Sequence, residues 1–338
     1  MNDEASMPTR PVVRRHTWLR QVIKILLGGG VIVLLFRRTD INGADLFDTL
    51  THLSAHPLWL ALTLVLVLLC LLCGAGRWWT ALTGLAVPIS GARTAALFLI
   101  GHFFNGFLPG STGGDVARAF YIARDIEGCR ATAVMSIVVE RLAGVATLMV
   151  LTLCGLLATT SYDRRPLLMA LAGVLAIGSL LLLLGVPGLS RFSARIVPRL
   201  SEWWPQTGPL LQRLYGVLQL CHTRPRLILS LFGWSLLQHL CAVLSWVTLA
   251  WGLGFSFDTL TFLLLVPAVL TAQMIPITPG GLGVREGTAI ALLPAAGLVA
   301  HEAMLVALAS FAASLVWSAA GGLIYLLPRN HRLGHPPR

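Results

Sequence analysis

The residues able to do chemistry in this apolar chain are few: Asn105, Asp115, Arg118, Glu140, Arg141, Arg285 and Glu286. Glu140 and Arg141 lie ten residues into an apolar run that begins at Ala131, about 15 Å along a helix and so near the middle of ~30 Å of hydrocarbon. An ionisable group at that depth costs roughly 2.5–3.5 kcal/mol on insertion scales, so it needs a partner or a polar cavity. Neighbouring helix residues point about 100° apart, so these two are not each other's ideal partner. Asp115 and Arg118, or Arg285 and Glu286, are the candidates. Arginine's planar fork of donors suits a phosphate, with the acids as balancing charges. Blander readings stand beside this one. Asp115 caps a helix starting at Val116, Glu140 forms structural ion pairs with Arg118 or Arg285, and His102 and Asn105 satisfy nearby backbone groups. No metal-ligand cluster, nucleophile triad or GxxxxGK[ST] loop is present, so no metal, cofactor, catalytic residue or ATP-driven pumping is expected.

Two helix breaks must position these residues. In FFNGFLPGSTGGDVAR (Phe103 to Arg118) an apolar run from Thr94 meets Pro109, Gly110, Gly113 and Gly114. Proline removes a backbone donor and glycine weakens a helix, so the helix should stop there. The run from Thr94 to Leu108 has 15 residues, about 22 Å of helix, too short to cross comfortably. A segment that enters the bilayer, breaks and turns back fits this pattern, and such backbone survives at depth only when buried in protein or lining a polar cavity. The second break, IPITPGGLGVREG, repeats the pattern with Pro279, Gly280, Gly281 and Gly283. Backbone N–H groups freed at either break can bind an anion.

The rest of the chain dictates the setting. It is 56% hydrophobic and 12% charged, with mean hydropathy +0.79, which defines an all-α polytopic membrane protein. Its net charge of +11 rests on loop arginines, which positive-inside topology explains without nucleic acid. Cys70 and Cys73 fall inside LLCLLCG and read as small apolar filler rather than a redox pair. Residues 1–20 are a basic segment with no cleavable signal, expected in the cytoplasm. Apolar runs then predict spans at 21–36, 58–76, 131–158, 167–186, 227–251 and 303–327. Arg77, Trp78 and Trp79 end the second as an interfacial anchor. Leu46, Leu50 and Leu53 share a face of a short surface helix. The interval 187–226 carries six arginines against Glu202 and should lie on the anionic inner leaflet.

Parity completes the topology. With the N-terminus, the 187–226 interval and the 328–338 tail all cytoplasmic, the stretch from Thr94 to Arg130 starts and ends on one side. It becomes a re-entrant hairpin from the cytoplasm, and Leu260 to Ala300 one from outside. Three short crossings satisfy the same parity. Pro109-Gly110-x-x-Gly113 aligns with Pro279-Gly280-x-x-Gly283 at an offset of 170 residues. The expected architecture is therefore a transmembrane domain over 21–327, holding two inverted repeats (about 57–158 and 226–327), each with a broken hairpin.

At PGSTGGDVAR, VVERLAG (Val138 to Gly144) and PGGLGVREG (Pro279 to Gly287) the chain resembles the flippase-like membrane domain of lysylphosphatidylglycerol synthases and their stand-alone relatives. The resemblance spans nearly everything beyond the first 20 residues. It implies a lipid-translocating or lipid-handling role in the cytoplasmic membrane, with a lipid substrate and no enzyme activity. Synthase activity is not carried over, because only eleven residues follow Leu327. One subgroup accompanies hopanoid biosynthesis, which leaves a biosynthetic partner enzyme open. Where the family often has two glycines after the first proline, this chain has Gly110-Ser111. The expectation is a lipid flippase; the alternative is an intramembrane lipid-modifying transferase or accessory subunit using Asp115 or Glu140 as a general base.

Overall fold

The structure, a computed structural model, describes residues 47, 51–107, 113–126, 128–158, 224–274 and 281–327. The expected spans at 21–36 and 167–186, nearly all of the basic interval, both termini, Leu46, Leu50, Pro109, Gly110, Pro279 and Gly280 lie outside the described residues. The described residues are all-helical, with no strand among them.

Among the described residues, a helical stretch at 51–55 precedes eight longer α-helices: α1 (Pro57–Gly84), α2 (Gly91–Phe107), α3 (Gly113–Asp125), α4 (Arg130–Ala158), α5 (Pro225–Gly252), α6 (Thr259–Ala272), α7 (Val284–Leu292) and α8 (Ala300–Leu326). A 3-10 turn, Leu293–Ala296, links the last two. Among the described residues α1, α4, α5 and α8 are long and apolar enough to cross a membrane. Proline opens α1 and α5, at a position where its missing N–H has no intrahelical role. Asp258 caps α6, accepting from the Leu260 and Thr261 amides at 3.2 and 3.3 Å. Both glycine-rich stretches do separate helices, α2 from α3 and α6 from α7.

The order long, medium, short, long thus occurs twice, and the two units embrace reciprocally. α1 packs on α5; α2 of the first unit lies on α8 of the second, and α6 of the second on α4 of the first. Glycines allow both cross-contacts. A Cβ at Gly155 of α4 would sit 2.0 Å from the Leu264 carbonyl oxygen of α6, and one at Gly321 of α8 would sit 2.1 Å from that of Leu99 in α2. The glycines are 166 positions apart and the leucines 165, close to the offset of the two breaks. Small residues that bring backbones together suit a bundle in lipid, where van der Waals contact rather than the hydrophobic effect joins helices.

One expectation is overturned here. Arg77 and Trp78 are not an interfacial anchor: α1 continues to Gly84, and the two side chains are 4% and 0% exposed. Only Trp79 faces outward. The charge is tolerated inside because α4 and α5 bring it an acid and a hydroxyl.

Candidate functional site

The site grows from Glu140, buried on α4. Its Oε1 accepts from Arg77 Nε of α1 at 2.9 Å and also from Arg77 Nη2, while Arg77 Nη1 donates to Ser235 Oγ of α5 at 3.1 Å. Its Oε2 accepts from Arg118 Nη2 of α3 at 3.1 Å. Arg118 Nη1 donates onward to Asp115 Oδ1 at 3.2 Å, and Asp115 receives Arg141 Nε and Nη2 at 2.8 and 2.9 Å. The result is an alternating chain, Arg77–Glu140–Arg118–Asp115–Arg141, that ties α1, α3 and α4 together, with Ser235 joining α5 to it. Each buried charge meets an opposite one, which offsets the desolvation that would otherwise neutralise or expel it. The Arg118 guanidinium also lies over Trp78 and Phe98, 4.0 and 4.8 Å from their ring centroids. Gly144, the last residue of VVERLAG, makes room for this: a Cβ there would stand 2.6 Å from Arg77 Nη1.

The second break holds a smaller charged group. Glu286 Oε2 accepts the Gly283 N–H at 2.5 Å at the start of α7, and Glu286 Oε1 accepts from Arg285 Nε at 3.1 Å and from Nη2. Adjacent side chains meet here because Glu286 folds back over the first helical turn. Gly281 and Gly283 have φ of 73° and 86°, a left-handed backbone that glycine adopts without strain. Arg285 lies over Phe311 of α8 at 5.0 Å.

Between the two breaks is a cavity of about 480 Å³. His102, Asn105, Gly106 and Asp115 line it from α2 and α3, Arg141 from α4, and Gln273, Met274 and Arg285 from around the second break. Phe311, Ser314, Leu315 and Ser318 complete it from α8. Of the seven sequence candidates, Asn105, Asp115, Arg141 and Arg285 are on the wall; Arg118, Glu140 and Glu286 lie behind it. An Asp115–Arg141 ion pair thus meets the cavity near one break, and Arg285 stacked on Phe311 near the other.

These motifs lie within one matched region: residues 21–322 fit the family model described as the lysylphosphatidylglycerol synthase TM region. The chain belongs to this family. No curated protein and no solved structure matches it. Membership makes it a membrane protein concerned with lipids, and the match contains every residue of the site.

In this member of the lysylphosphatidylglycerol synthase TM family, the cap reading of Asp115 gives way. α3 begins at Gly113, so Asp115 falls in its first turn and its carboxylate turns to Arg118 and Arg141. The Gly114 N–H donates instead to Asn105 Oδ1 at 2.7 Å. Asn105 therefore satisfies backbone and lines the cavity at once. His102 contacts Ser314 rather than standing free, with Nε2 3.3 Å from its carbonyl oxygen. Arg285 is not a partner of Glu140; Arg77 takes that place. Reading the sequence missed Arg77, because a charge ending an apolar run looks like a flank. It also missed the α8 wall, whose Phe311, Ser314, Leu315 and Ser318 recur at i, i+3, i+4 and i+7 and were readable as one helix face.

Proposed function

We propose that the chain is a lipid translocator of the cytoplasmic membrane, in which a phosphate-bearing headgroup passes through the charged cavity while the acyl chains stay in the bilayer. One observation carries this reading: Arg141 and Arg285 line a cavity of about 480 Å³ whose single wall acid, Asp115, is paired with Arg141. That volume is within the roughly 300–1,000 Å³ usual for small-ligand sites, and the wall has one positive charge in excess. An arginine pair with spare positive charge suits a phosphodiester, which carries one negative charge.

The two units are then inverted repeats with re-entrant hairpins, whose breaks meet near the midplane, as in many secondary transporters. Their reciprocal packing supports this arrangement. Both termini and the 187–226 interval are cytoplasmic in the same reading, the basic interval resting on anionic lipid. The chain acts without covalent chemistry. Asp115 and Glu140, the acids a transferase would need as bases, each already accept from two guanidiniums. The test is reconstitution in liposomes with acyl-labelled lipids, followed by leaflet exchange and chromatography of the recovered lipid. Exchange of an unmodified lipid is expected. A covalently altered lipid would point to the transferase instead, and neither exchange nor alteration across a panel of native lipids would overturn the proposal.

A further inference from the structure

His102 is the cavity-wall group that the translocation reading leaves without a task. It lies on α2, half-buried, and lines the cavity with Asp115, Arg141 and Arg285. Its Nε2 stands 3.3 Å from the Ser314 carbonyl oxygen and 3.2 Å from the Ser314 hydroxyl of α8. A carbonyl can only accept, so Nε2 carries a hydrogen and donates it, which leaves the lone pair of the neutral ring on Nδ1. A tie between two helices does not need an imidazole. Hydroxyl pairs make such ties elsewhere in the bundle, Thr63 with Thr248 at 2.9 Å and Thr152 with Thr271 at 2.8 Å. What the imidazole adds is a nitrogen that takes up a proton between about pH 5 and 8, a range that no other side chain covers at its ordinary pKa. His239 of α5 differs in place: it donates to the Gly144 carbonyl at 3.0 Å and does not line the cavity.

We infer that His102 is a proton-binding site of this cavity, taking up one proton at Nδ1 together with the anionic headgroup and so coupling lipid movement to a proton gradient. The inference rests on the translocation reading and supplies its driving force. The charges around His102 make the two binding events cooperative. Arg141 and Arg285 share the wall and repel a further cation, while Asp115 is already matched by Arg141 and Arg118. Arg118 of α3 lies against α2, 2.6 Å from where a Gly101 Cβ would be, but is held by Glu140 and Asp115. α1, also packed on α2, carries Arg77, held by Glu140 and Ser235, and the thiols of Cys70 and Cys73. α8 has no titratable side chain within seven residues of Ser314. An anion bound at Arg141 and Arg285 removes their repulsion and so draws the proton onto His102; by linkage the proton tightens the anion to the same degree. One proton with one phosphodiester charge leaves the loaded cavity as charged as the empty one, so no net charge has to cross the hydrocarbon.

Liposomes holding the full chain and an acyl-labelled phosphatidylmethanol, whose phosphodiester stays ionised throughout, test this. With equal pH on both sides, wild-type leaflet exchange should rise at least about fivefold from pH 8 to pH 5.5. With the interior alkaline, wild type should gather the labelled lipid in the inner leaflet beyond the share reached without a gradient, and beyond that in protein-free liposomes. His102→Gln keeps an N–H for the Ser314 carbonyl but removes the proton site, and His102→Asn removes it with a shorter side chain. In each, exchange should vary by less than about twofold over that range, and a gradient should gather nothing. Exchange by wild type that ignores pH, no gathering under the gradient, or an unchanged pH response in both variants would overturn the inference and leave translocation intact. Loss of folded yield in both variants would make the role structural and overturn it as well. No exchange by wild type at any pH would fail the translocation reading itself, and the inference with it.

Discussion

Replacing Glu140 with glutamine strikes the ion chain at its most buried point. Glu140 is 1% exposed, and its partners Arg77 and Arg118 are 4% and 3% exposed, so no solvent softens the change. Glutamine keeps the volume and one acceptor oxygen but deletes the charge. Arg118 retains Asp115 at 3.2 Å, whereas Arg77 keeps only the neutral Ser235 hydroxyl at 3.1 Å. One cation is therefore stranded, not two. Removing one partner of a buried pair costs about 3–5 kcal/mol, a large share of the ~5–15 kcal/mol that holds a typical protein folded. The geometry also distinguishes two rescues. Adding Arg77→Gln removes the stranded cation and should recover most of the loss. Adding Arg118→Gln leaves Arg77 stranded and should recover little. Folded yield and thermal midpoint, read by fluorescence-detected gel filtration in detergent, measure both. An E140Q variant as stable as wild type, or equal rescue by the two arginine changes, would refute the assignment of Arg77 as the principal partner.

Other perturbations separate the cavity wall from its support. Arg141→Gln should slow leaflet exchange at least tenfold with folded yield nearly unchanged, because Asp115 keeps Arg118; Arg285→Gln should lower yield as well, since it strands the fully buried Glu286. Gly144→Ala sets a methyl 2.6 Å from Arg77 Nη1, and should lower the thermal midpoint by an amount equivalent to about 1–3 kcal/mol of overpacking. At the α6 cap, the Thr261 hydroxyl, helped by the Thr261 and Leu260 amides, holds the Asp258 carboxyl below its usual range. The cap's contribution is thus present above the unfolded-state pKa and lost as pH falls through the lower folded value; the midpoint difference between wild type and Asp258→Ala should persist at neutral pH and close only in acid. On a cysteine-free background, a cysteine at position 258 should label from outside and one at position 199 only from the cytoplasm; the reverse would break the parity argument.

What the sequence made legible was whatever is local. Apolar runs located α1, α4, α5 and α8 within a few residues, except where α1 ran through Arg77 to Gly84. Proline and glycine marked both breaks. The charged residues were found because ionisable groups in apolar runs are expensive and therefore conspicuous. Their pairing was not legible, since it depends on helices far apart in the chain: 63 residues separate Arg77 from Glu140, and 158 separate it from Ser235. Arg77 in particular has the composition of an interfacial flank, and only the arrival of Glu140 and Ser235 makes it a core residue. His102 is a further case, since its neighbour Ser314 lies 212 positions away.

The two helix breaks bring different side chains to the cavity wall: an aspartate bound to an arginine at one, an arginine stacked on an aromatic at the other. If the cavity served only to seal two hairpins together, equivalent pairs on both sides would suffice. Asymmetric walls suit an asymmetric guest, with a phosphate drawn to Arg285, where a stacked guanidinium is aimed by its ring. The Asp115–Arg141 pair offers both an acceptor and donors for the remainder of the headgroup. On the translocation reading, exchanging the two walls is more informative than deleting either. A variant carrying Asp115→Arg and Arg141→Phe, with Arg285→Asp and Phe311→Arg, has the same charge count and the same pair types in swapped units. If charge alone drives transport it should retain activity. If orientation matters, leaflet exchange per folded molecule should fall at least tenfold, with folded yield read separately because Arg285→Asp strands the fully buried Glu286.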